Sequence, residues 1–371
     1  MPRSAGRNWT PTHGSRLCAS RRPGAGTGPR QGRPPCIGRP LSLAAPAVAF
    51  KSLRNKPNSS DARREQKVLS HKQIEELEKG PYGICRRKAN LADYTTFHIG
   101  GPCDLLLEPT TELELVAALR FLRSEKIPYY ILGRGSNVLV RDGGFEGVIL
   151  ALADKYSKII IDGNEIQAEA GASIRRIAHL SFKAGLTGME SLAGIPGSAG
   201  GGAIMNAGAF GSDMSQVLGM VRVIDQEGNR KTYDRPELSF GYRKSLLMDQ
   251  GDVVSSLSFR LKPADPEEIQ KRYLAIRAKR DASQPLNAYS AGSIFKRPSE
   301  APAARLIDQA GLKGKSVNDA QISEKHAGFI VNRGHAKAAD VLELIGMVTD
   351  IIQDRYGIKL ETEIKIIGKD A

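Results

Sequence analysis

The stretch GIPGSAGGGAIMNAGAFG, residues 194–211, says more about the fold than any other part of this 371-residue sequence. Seven of these eighteen residues are glycine, and none carries a charge. Glycine lacks a Cβ, reaches positive φ and lets backbone N–H groups approach a ligand closely. A flexible linker would be rich in glycine and serine but polar, whereas Ile195, Ile204 and Phe210 indicate packing. We therefore predict a rigid loop whose amides suit a phosphate or pyrophosphate, with a linker as the alternative.

A second glycine segment, GRGSN at residues 133–137, lies upstream between two apolar runs, residues 128–132 and 138–140. Both runs have the pattern of short buried strands. A dinucleotide-binding fingerprint would need three glycines at fixed spacing before a helix, and here the chain returns to a strand. A β-hairpin turn is the common cause of such a segment when it stands alone. Two glycine segments in one chain favour a shared cofactor that carries phosphate.

Basic residues are concentrated at the N-terminus. Residues 1–60 contain eleven of the 54 Lys and Arg residues and no Asp or Glu, so the remaining body is close to neutral. The formal charge of +14 therefore does not indicate a nucleic-acid-binding protein. The body also lacks the basic residues interleaved with stacking aromatics that single-strand binders need. We predict no nucleic-acid partner.

Residues 1–67 form a basic leader in which proline and glycine are frequent and apolar periodicity is absent. Such a composition predicts disorder. It fits an organelle transit peptide, and it equally fits sequence translated from a start site assigned too early. The apolar run Leu41–Phe50 is too short to span a membrane, so we predict no membrane partner.

The four cysteines lie at positions 18, 36, 85 and 103 and form no CxxC or Cys/His pattern. The sequence thus predicts neither a metal site nor a disulfide scaffold.

Helix and strand signals alternate through the body without a strict βαβ rhythm, which predicts an α+β fold with short strands. Residues 220–224 and 230–233 have the pattern of a β-hairpin. Pro263 and Pro266 then break the chain and place the main domain boundary after residue 265. Residues 111–123 predict a helix capped by Thr111, with an inner face of Leu113, Val116, Ala117 and Phe121. Residues 338–356 predict the longest helix, with an inner face of Val341, Leu344, Ile345, Val348 and Ile352.

Six motifs occur in a fixed order along the body. They are YILGRGSNVLV (130–140), GIPGSAGGG (194–202), FGYRKS (240–245), AGSIFKRP (291–298), ISEKHAGFIVN (322–332) and ETEIKIIG (361–368). Each is weak alone, but from Asn90 to Gly368 the ordered set resembles the MurB family of UDP-N-acetylenolpyruvoylglucosamine reductases. The segment YTTFHIGG (94–101) also looks like the start of that family's flavin domain. The short span from Tyr242 to Ser293 resembles the compact branch of the family, which lacks an extra tyrosine-bearing loop.

The resemblance implies a two-subdomain FAD-binding unit of the vanillyl-alcohol-oxidase (PCMH) type and a C-terminal α+β substrate-binding domain. The implied divisions are a leader at 1–67, the FAD-binding unit at 68–265 and the substrate-binding domain at 266–371. The resemblance also implies NADPH as hydride donor and UDP-N-acetylglucosamine enolpyruvate as substrate, reduced to UDP-N-acetylmuramate for peptidoglycan synthesis. The expected cofactor-binding residues are Gly133, Arg134, Gly135, Ser136, Asn137, Gly197, Ser198, Gly200, Gly201, Asn206 and Gly208.

Reduction of an enolpyruvyl ether needs a hydride, a proton donor at the neighbouring carbon, and stabilisation of the enolate's negative charge. By resemblance, Ser293 is the proton donor, while Arg243 and Glu363 polarise the carboxylate and stabilise the enol-like intermediate. Serine suits this role only if its hydroxyl is buried and activated, for example by Lys296. From the residues alone, the alternatives for Ser293, Arg243 and Glu363 are a turn hydroxyl, a surface ion pair and a solvated strand-end charge.

Four further residues are candidate substrate contacts. Lys296 and Arg297 suit a diphosphate or carboxylate, with a solvated basic pair as the alternative. His326 and Asn332 lie in a motif of the same resemblance, with a core histidine and a turn asparagine as the alternatives.

Another FAD-dependent oxidoreductase on the same fold, such as an alcohol or sugar oxidase, is the alternative function. Many such oxidases tether the flavin through a histidine or cysteine, and no histidine lies near residues 133–140. We expect a cytoplasmic monomer, or a plastid protein if residues 1–67 are a transit peptide.

Overall fold

Residues 69–371 are described by a computed structural model and contain both helices and short strands. The predictions for residues 1–67 lie outside this range. Up to residue 263 the elements, in chain order, are α1 (His71–Lys79), β1 (Ile84–Arg87), β2 (Cys103–Glu108), α2 (Glu112–Ser124), β3 (Tyr129–Leu132), β4 (Val138–Val140), β5 (Phe145–Ala151), β6 (Ile159–Asp162), β7 (Glu165–Glu169), α3 (Ile174–Lys183), β8 (Leu186–Thr187), α4 (Ala199–Ile204), β9 (Gly208–Ala209), β10 (Ser212–Asp213), β11 (Leu218–Ile224), β12 (Arg230–Asp234), β13 (Val253–Arg260) and β14 (Lys262–Pro263). From residue 266 onward they are α5 (Pro266–Ser283), α6 (Ala303–Gln309), β15 (Ser316–Val317), β16 (Ala320–Ile322), β17 (Ile330–Asn332), α7 (Ala338–Tyr356) and β18 (Lys365–Ile367). Single 3₁₀ turns lie at Leu91–Tyr94, Met214–Gln216, Arg235–Leu238 and Leu246–Met248.

The first sheet has the strand order β1-β2-β5-β3, in which β2, β5 and β3 run parallel and β1 is antiparallel. Helix α2 is the crossover between β2 and β3. It begins with a capping box, in which the Thr111 hydroxyl accepts from the Glu114 N–H and the Glu114 carboxylate accepts from the Thr111 N–H. The predicted helix and its cap are thus confirmed.

The predicted inner face of α2 is wrong. Leu113 is 72% exposed, and Val116, Ala117 and Phe121 are only partly buried. Both the predicted and the observed residues have helical spacing. The position of the sheet that the helix covers therefore decides which of the two faces is buried. The fully buried residues are Leu115, Ala118, Leu119 and Leu122.

The second sheet is antiparallel throughout, with the order β12-β11-β13-β7-β6. Its strands β11 and β12 form the predicted hairpin. The two sheets share the main hydrophobic core, to which Leu105 and Leu107 of β2 contribute alongside Ile166 of β7. Leu106 belongs instead to a separate cluster with Val140, because successive side chains of a strand point to opposite faces.

The C-terminal part packs α6 and α7 with the small antiparallel sheet β15-β16-β17. The observed bounds and buried face of α7 confirm the prediction for residues 338–356. The helix ends at Gly357, which adopts the left-handed conformation with φ +69°.

The last strand, β18, pairs in parallel with β4. Strand β3 pairs with β5 instead, so residues 133–137 are not a hairpin turn between β3 and β4. They connect two sheets, and the C-terminal strand lies directly beyond them. This pairing carries Glu363, two residues before β18, to the glycine segment.

The glycine-rich segment 194–211 is not loop throughout, because residues 199–204 form α4. The alternative of a flexible linker is excluded, since α4 is buried at Ala199, Gly200, Gly202 and Ala203.

Helix α5 packs against the preceding unit. Arg272 ion-pairs with Glu190 at 3.2 Å, and the rings of Tyr273 and Phe182 lie 5.4 Å apart. The domain boundary after residue 265 stays a prediction.

Candidate active site

The two glycine segments are in direct contact. A Cβ added to Gly133 would lie 2.3 Å from Ser198 Oγ, and one added to Gly197 would lie 3.0 Å from Ser136 Oγ. Glycine at these positions allows residues 133–137 and 197–198 to share one surface. The sequence-based idea of two segments serving one ligand therefore has a geometric basis.

The first segment offers a row of donors. The backbone N–H groups of residues 133–137 donate to no acceptor within residues 69–371. Arg134 ion-pairs with Asp154, and its Nε is buried without a hydrogen-bond partner in the same range. Successive backbone amides and a guanidinium are the groups that bind phosphate oxygens. The segment fits the diphosphate of the expected FAD.

The second segment uses its glycines partly for packing. The N–H of Gly200 donates to the carbonyl of Ala170 at 2.8 Å, and a Cβ there would lie 2.9 Å from Ala170 Cβ. The N–H of Gly201 donates to Ser198 Oγ at 3.3 Å. These two amides are thus already used within the protein. Gly200 and Gly201 support the segment that carries Gly197 and Ser198.

Arg243, which precedes the predicted domain boundary at residue 265, forms an ion pair with Glu363, which follows that boundary. Arg243 Nε donates to Glu363 Oε1 at 2.6 Å, and the two side chains are 21% and 11% exposed. Arg243 Nη2 also reaches the carbonyl of Gly208 at 3.4 Å. The pair is largely shielded from water, so its charges interact more strongly than those of a surface pair. Gly208 therefore contacts the arginine rather than the first glycine segment.

Backbone pairing places Ser293 beside Glu363. The Glu363 N–H donates to the carbonyl of Ile294 at 2.7 Å, while the side chain of Asn137 donates to the carbonyl of Glu363 at 3.4 Å. On its other side, Ser293 forms a β-bridge with Phe329. Ser293, Glu363 and the glycine segment at Asn137 thus converge on one place.

The hydroxyl of Ser293 is half-buried and makes no hydrogen bond within residues 69–371. Lys296, expected to activate it, instead donates to Glu361 at 3.0 Å, and its side chain is 47% exposed. Activation of Ser293 by Lys296 therefore has no hydrogen bond to support it.

The other candidate substrate residues differ in their surroundings. Arg297 is exposed. The amide of Asn332 is fully used, because it donates to the carbonyls of Phe97 and His98 and accepts from the N–H groups of Gly334 and Ala336. The alternative considered from the sequence, a turn asparagine, describes these contacts.

His326 is part of a local turn. Its Nδ1 accepts from the N–H of Gly328 at 3.2 Å, and its ring packs edge-on against Phe329. Burial lowers the pKa of the His326 imidazole, and nearby Lys313 acts in the same direction. The neutral ring is the form that the Gly328 contact requires.

We expect His326 to make stability depend on pH. Its pKa is lower in the folded protein, so the unfolded chain binds the proton first. The free energy of unfolding should therefore decrease as pH falls below ~6.5, the ordinary histidine value. The loss is at most about 1.4 kcal/mol per pH unit for one proton, and it stops below the folded pKa. Urea unfolding from pH 8 to pH 5 measures the loss, which His326→Gln should remove; an unchanged slope in that variant would contradict the assignment.

Tyr242 is a site residue that we did not predict. The Arg243 guanidinium carbon lies 5.2 Å from the centre of its ring, and its hydroxyl accepts from the Arg297 N–H at 3.3 Å. The side chain is 60% exposed. The one sequence signal for it is its place next to Arg243 in the FGYRKS motif.

Residues 69–371 contain neither a membrane-spanning helix nor a cluster of metal-ligating side chains. No helix there combines the length and apolar character needed to cross a bilayer. No group of three or more His, Cys, Asp or Glu side chains there is arranged to hold a metal ion.

Comparison with known proteins gives matches over most of the chain. The family model of the UDP-N-acetylenolpyruvoylglucosamine reductase C-terminal domain matches residues 284–367, and a model of an FAD binding domain matches residues 103–233. The UDP-N-acetylenolpyruvoylglucosamine reductase of Clostridium kluyveri is 43% identical over 76% of this chain and 92% of its own length. That of Clostridioides difficile is 40% identical over 75% and 91%.

A solved structure agrees with these sequence matches. The reductase MurB from Thermus caldophilus superposes with a TM-score of 0.68 at 38% identity, covering 77% of this chain and all of that one. The observed FAD-binding part and C-terminal part are therefore those of a known architecture. This chain belongs to the MurB family of UDP-N-acetylenolpyruvoylglucosamine reductases.

Proposed function

We propose that this protein is a flavin-dependent UDP-N-acetylmuramate dehydrogenase. It reduces UDP-N-acetylglucosamine enolpyruvate, with NADPH as the hydride donor, in peptidoglycan precursor synthesis. The observation that carries the proposal is the Arg243–Glu363 ion pair, held beside Ser293 and the 133–137 segment. The names of the relatives support the same substrate.

The site has the groups that FAD needs. FAD, when bound, supplies the hydride-transfer chemistry. The free amides of residues 133–137, the Arg134 guanidinium and the adjoining Gly197 and Ser198 would hold its diphosphate. Gly200, Asn206 and Gly208 support this surface by packing and by contacts within the protein, while Gly201, which is exposed, stays a candidate cofactor contact.

Arg243 and Glu363 act on the substrate's carboxylate and on the enol-like intermediate. A preorganised guanidinium in a shielded site stabilises negative charge as it develops on the carboxylate and enol oxygens. Glu363 fixes the orientation of that guanidinium through Nε, and the carbonyl of Gly208 accepts from Nη2, which leaves Nη1 to face the substrate. Ser293 Oγ then donates a proton to the enolpyruvyl carbon next to the one that receives the hydride.

The spectrum of the purified protein tests this function directly. We expect flavin absorbance that NADPH bleaches and that the enolpyruvyl nucleotide sugar restores without oxygen. A protein whose flavin is bleached by an alcohol or a sugar, and restored only by oxygen, would be an oxidase of the alternative class.

Glu363→Gln should lower turnover by about 10²- to 10³-fold, the usual cost of removing one preorganised electrostatic group. The substitution keeps the side-chain shape but removes the charge that orients Arg243. FAD content should not change, since the Glu363 contacts with Asn137 and Ile294 are made by its backbone. Steady-state kinetics and flavin absorbance measure both.

The matched control is Glu108→Gln. Glu108 also accepts from an arginine Nε, that of Arg86 at 3.0 Å, and its side chain is 15% exposed. It lies on β2, outside the candidate site, so turnover should stay close to wild type. Equal losses in the two variants would mean that the effect is general to arginine–glutamate ion pairs and does not come from the site.

The remaining features of the proposal concern the protein as a whole. We propose a cytoplasmic monomer, with a plastid location as the alternative if residues 1–67 are a transit peptide. We also propose that residues 68–265 bind FAD and that residues 266–371 bind substrate. Sedimentation velocity of the full chain tests the monomer, which a single dimer peak would contradict.

A further inference from the structure

We infer that Asn206 and Ser245 are positioning residues for Arg243. They fasten the turn that carries Arg243 to the chain segment that follows α4. The inference rests on the proposed function, because that function places Arg243 at the substrate's carboxylate.

The turn itself is short and strained. Gly241 and Lys244 exchange backbone hydrogen bonds of 3.0 and 3.3 Å, so Tyr242 and Arg243 are the two central residues. Arg243 has φ +53°, a conformation that is unfavourable for a residue with a Cβ. Such a conformation persists only where the surrounding structure holds it. The contacts at the two ends of the turn are therefore of interest.

Asn206 holds the first end of the turn. Its Nδ2 donates to the carbonyl of Gly241 at 3.0 Å, and its Oδ1 accepts from the N–H of Ser215 at 3.0 Å. The residue is 3% exposed and has φ +41°, which asparagine tolerates better than most residues. Its amide thus joins the turn to the 206–215 segment and faces away from solvent.

Ser245 holds the other end. Its Oγ donates to the carbonyl of Ile204, the last residue of α4, at 2.7 Å, and the residue is fully buried. Between these two anchors, Arg243 Nη2 reaches the carbonyl of Gly208. The segment 204–208 therefore contacts the turn at its start, its end and its functional side chain.

These anchors matter because the partner of Arg243 comes from a different part of the chain. Glu363 is held by backbone bonds to Ile294 and Asn137, whereas Arg243 is held by residues 204–208. The 2.6 Å contact between them depends on both supports. A misplacement of about 1 Å costs up to roughly 10²-fold in rate. Loss of a hydrogen bond from Asn206 or Ser245 should therefore lower the rate of the reaction.

The experiment combines anchor variants with Arg243→Ala. Ser245→Ala removes one anchor with little change of volume, and Asn206→Asp keeps the acceptor for Ser215 while removing the donor to Gly241. Each is expected to lower kcat by about 10- to 10²-fold. In the Arg243→Ala background, where no guanidinium remains to be positioned, the same changes should cost less than about twofold, because residues that act through one group are non-additive.

Two further readouts separate positioning from other roles. FAD content and the rate at which NADPH bleaches the flavin should stay near wild type, and amide hydrogen exchange at Gly241 and Lys244 should become faster. The control Ser181→Ala removes a hydroxyl of the same kind, fully buried and donating to the carbonyl of Ala178 at 2.8 Å. That variant should keep wild-type kcat and wild-type exchange in the turn.

The possible outcomes are distinct. Losses of equal size with and without Arg243, or a fall in FAD content in Ser245→Ala, would overturn the positioning role. If Asn206→Asp fails to fold because of its buried charge, Ser245→Ala decides alone. Failure of the proposed function would appear differently, as a wild-type protein that does not convert the enolpyruvyl sugar, and the exchange rates would still report whether the anchors hold the turn.

Discussion

Replacing Ser293 with alanine should lower turnover by about 10²- to 10⁴-fold, the usual contribution of a general acid. At 1.36 kcal/mol per tenfold change, this corresponds to about 3–5 kcal/mol of barrier. Bleaching of the flavin by NADPH should be unaffected, because that half-reaction does not need the serine proton. Recovery of absorbance with the enolpyruvyl sugar should become slow. Stopped-flow absorbance measures the two halves separately.

The surroundings of Ser293 allow its effect on turnover to be separated from any effect on stability. Its hydroxyl has no hydrogen-bond partner within residues 69–371, so alanine leaves no protein group unsatisfied and should barely change the free energy of unfolding. Ser293→Cys should recover part of the rate, since a thiol also donates a proton from this position. Ser299→Ala, at an exposed position six residues further on, is the control. Equal and modest slowing of both halves would mean that Ser293 only shapes the turn.

Long elements with one dominant pattern were predictable from the sequence. Helix α7 has nineteen residues, and its apolar positions repeat at helical spacing over five turns, so one face stands out. In α2, two adjacent stripes are both apolar, and only the sheet beneath the helix selects the one that is buried. Leu113 is apolar and yet 72% exposed for this reason.

The glycine-rich segment shows a second limit of sequence patterns. Glycine is a poor helix former, so residues 199–204 carry no local helix signal. The structure forms α4 there because Gly200 and Gly202 let the helix lie against Ala170 and Ile174. Tertiary packing outweighs propensity in this short element, and it gives Gly200 a packing role that a glycine-rich sequence does not reveal.

The candidate site required information that local patterns do not contain. Arg243 and Glu363 are 120 positions apart, and no periodicity joins them. Their shared role at the substrate's carboxylate was expected only from the ordered motifs of a known family, and their ion pair was not predicted. Asn332 shows another limit. Its place in a motif suggested a substrate contact, which stays a prediction. Its side-chain amide is used by four backbone groups, and a sequence does not show that a polar side chain is already satisfied.

Gly135→Ala should both destabilise the protein and weaken FAD binding. Gly135 has φ +59°, and a Cβ there would lie 2.2 Å from the carbonyl oxygen of Tyr94 and 2.6 Å from the Cα of Thr95. Both atoms belong to the backbone, so no side-chain rotation relieves the clash. We expect about 1–2 kcal/mol from the left-handed conformation and about 1–3 kcal/mol from overpacking. Displacement of residues 133–137 should also raise the Kd for FAD by about tenfold or more, since each tenfold is only ~1.4 kcal/mol.

Gly163→Ala separates the two causes. Gly163 has nearly the same φ, +53°, but a Cβ there would meet no atom within 4 Å. This variant should lose only the about 1–2 kcal/mol of the conformational cost and bind FAD as the wild type does. Urea unfolding must be measured on protein freed of FAD, because a ligand that binds only the folded state adds its own stabilisation; FAD titration of the same samples gives Kd. The two variants could instead lose the same stability and bind FAD equally. In that case the close approach of residues 94–95 to Gly135 does not shape the cofactor surface. The role of residues 133–137 in binding FAD would then come from their amides alone.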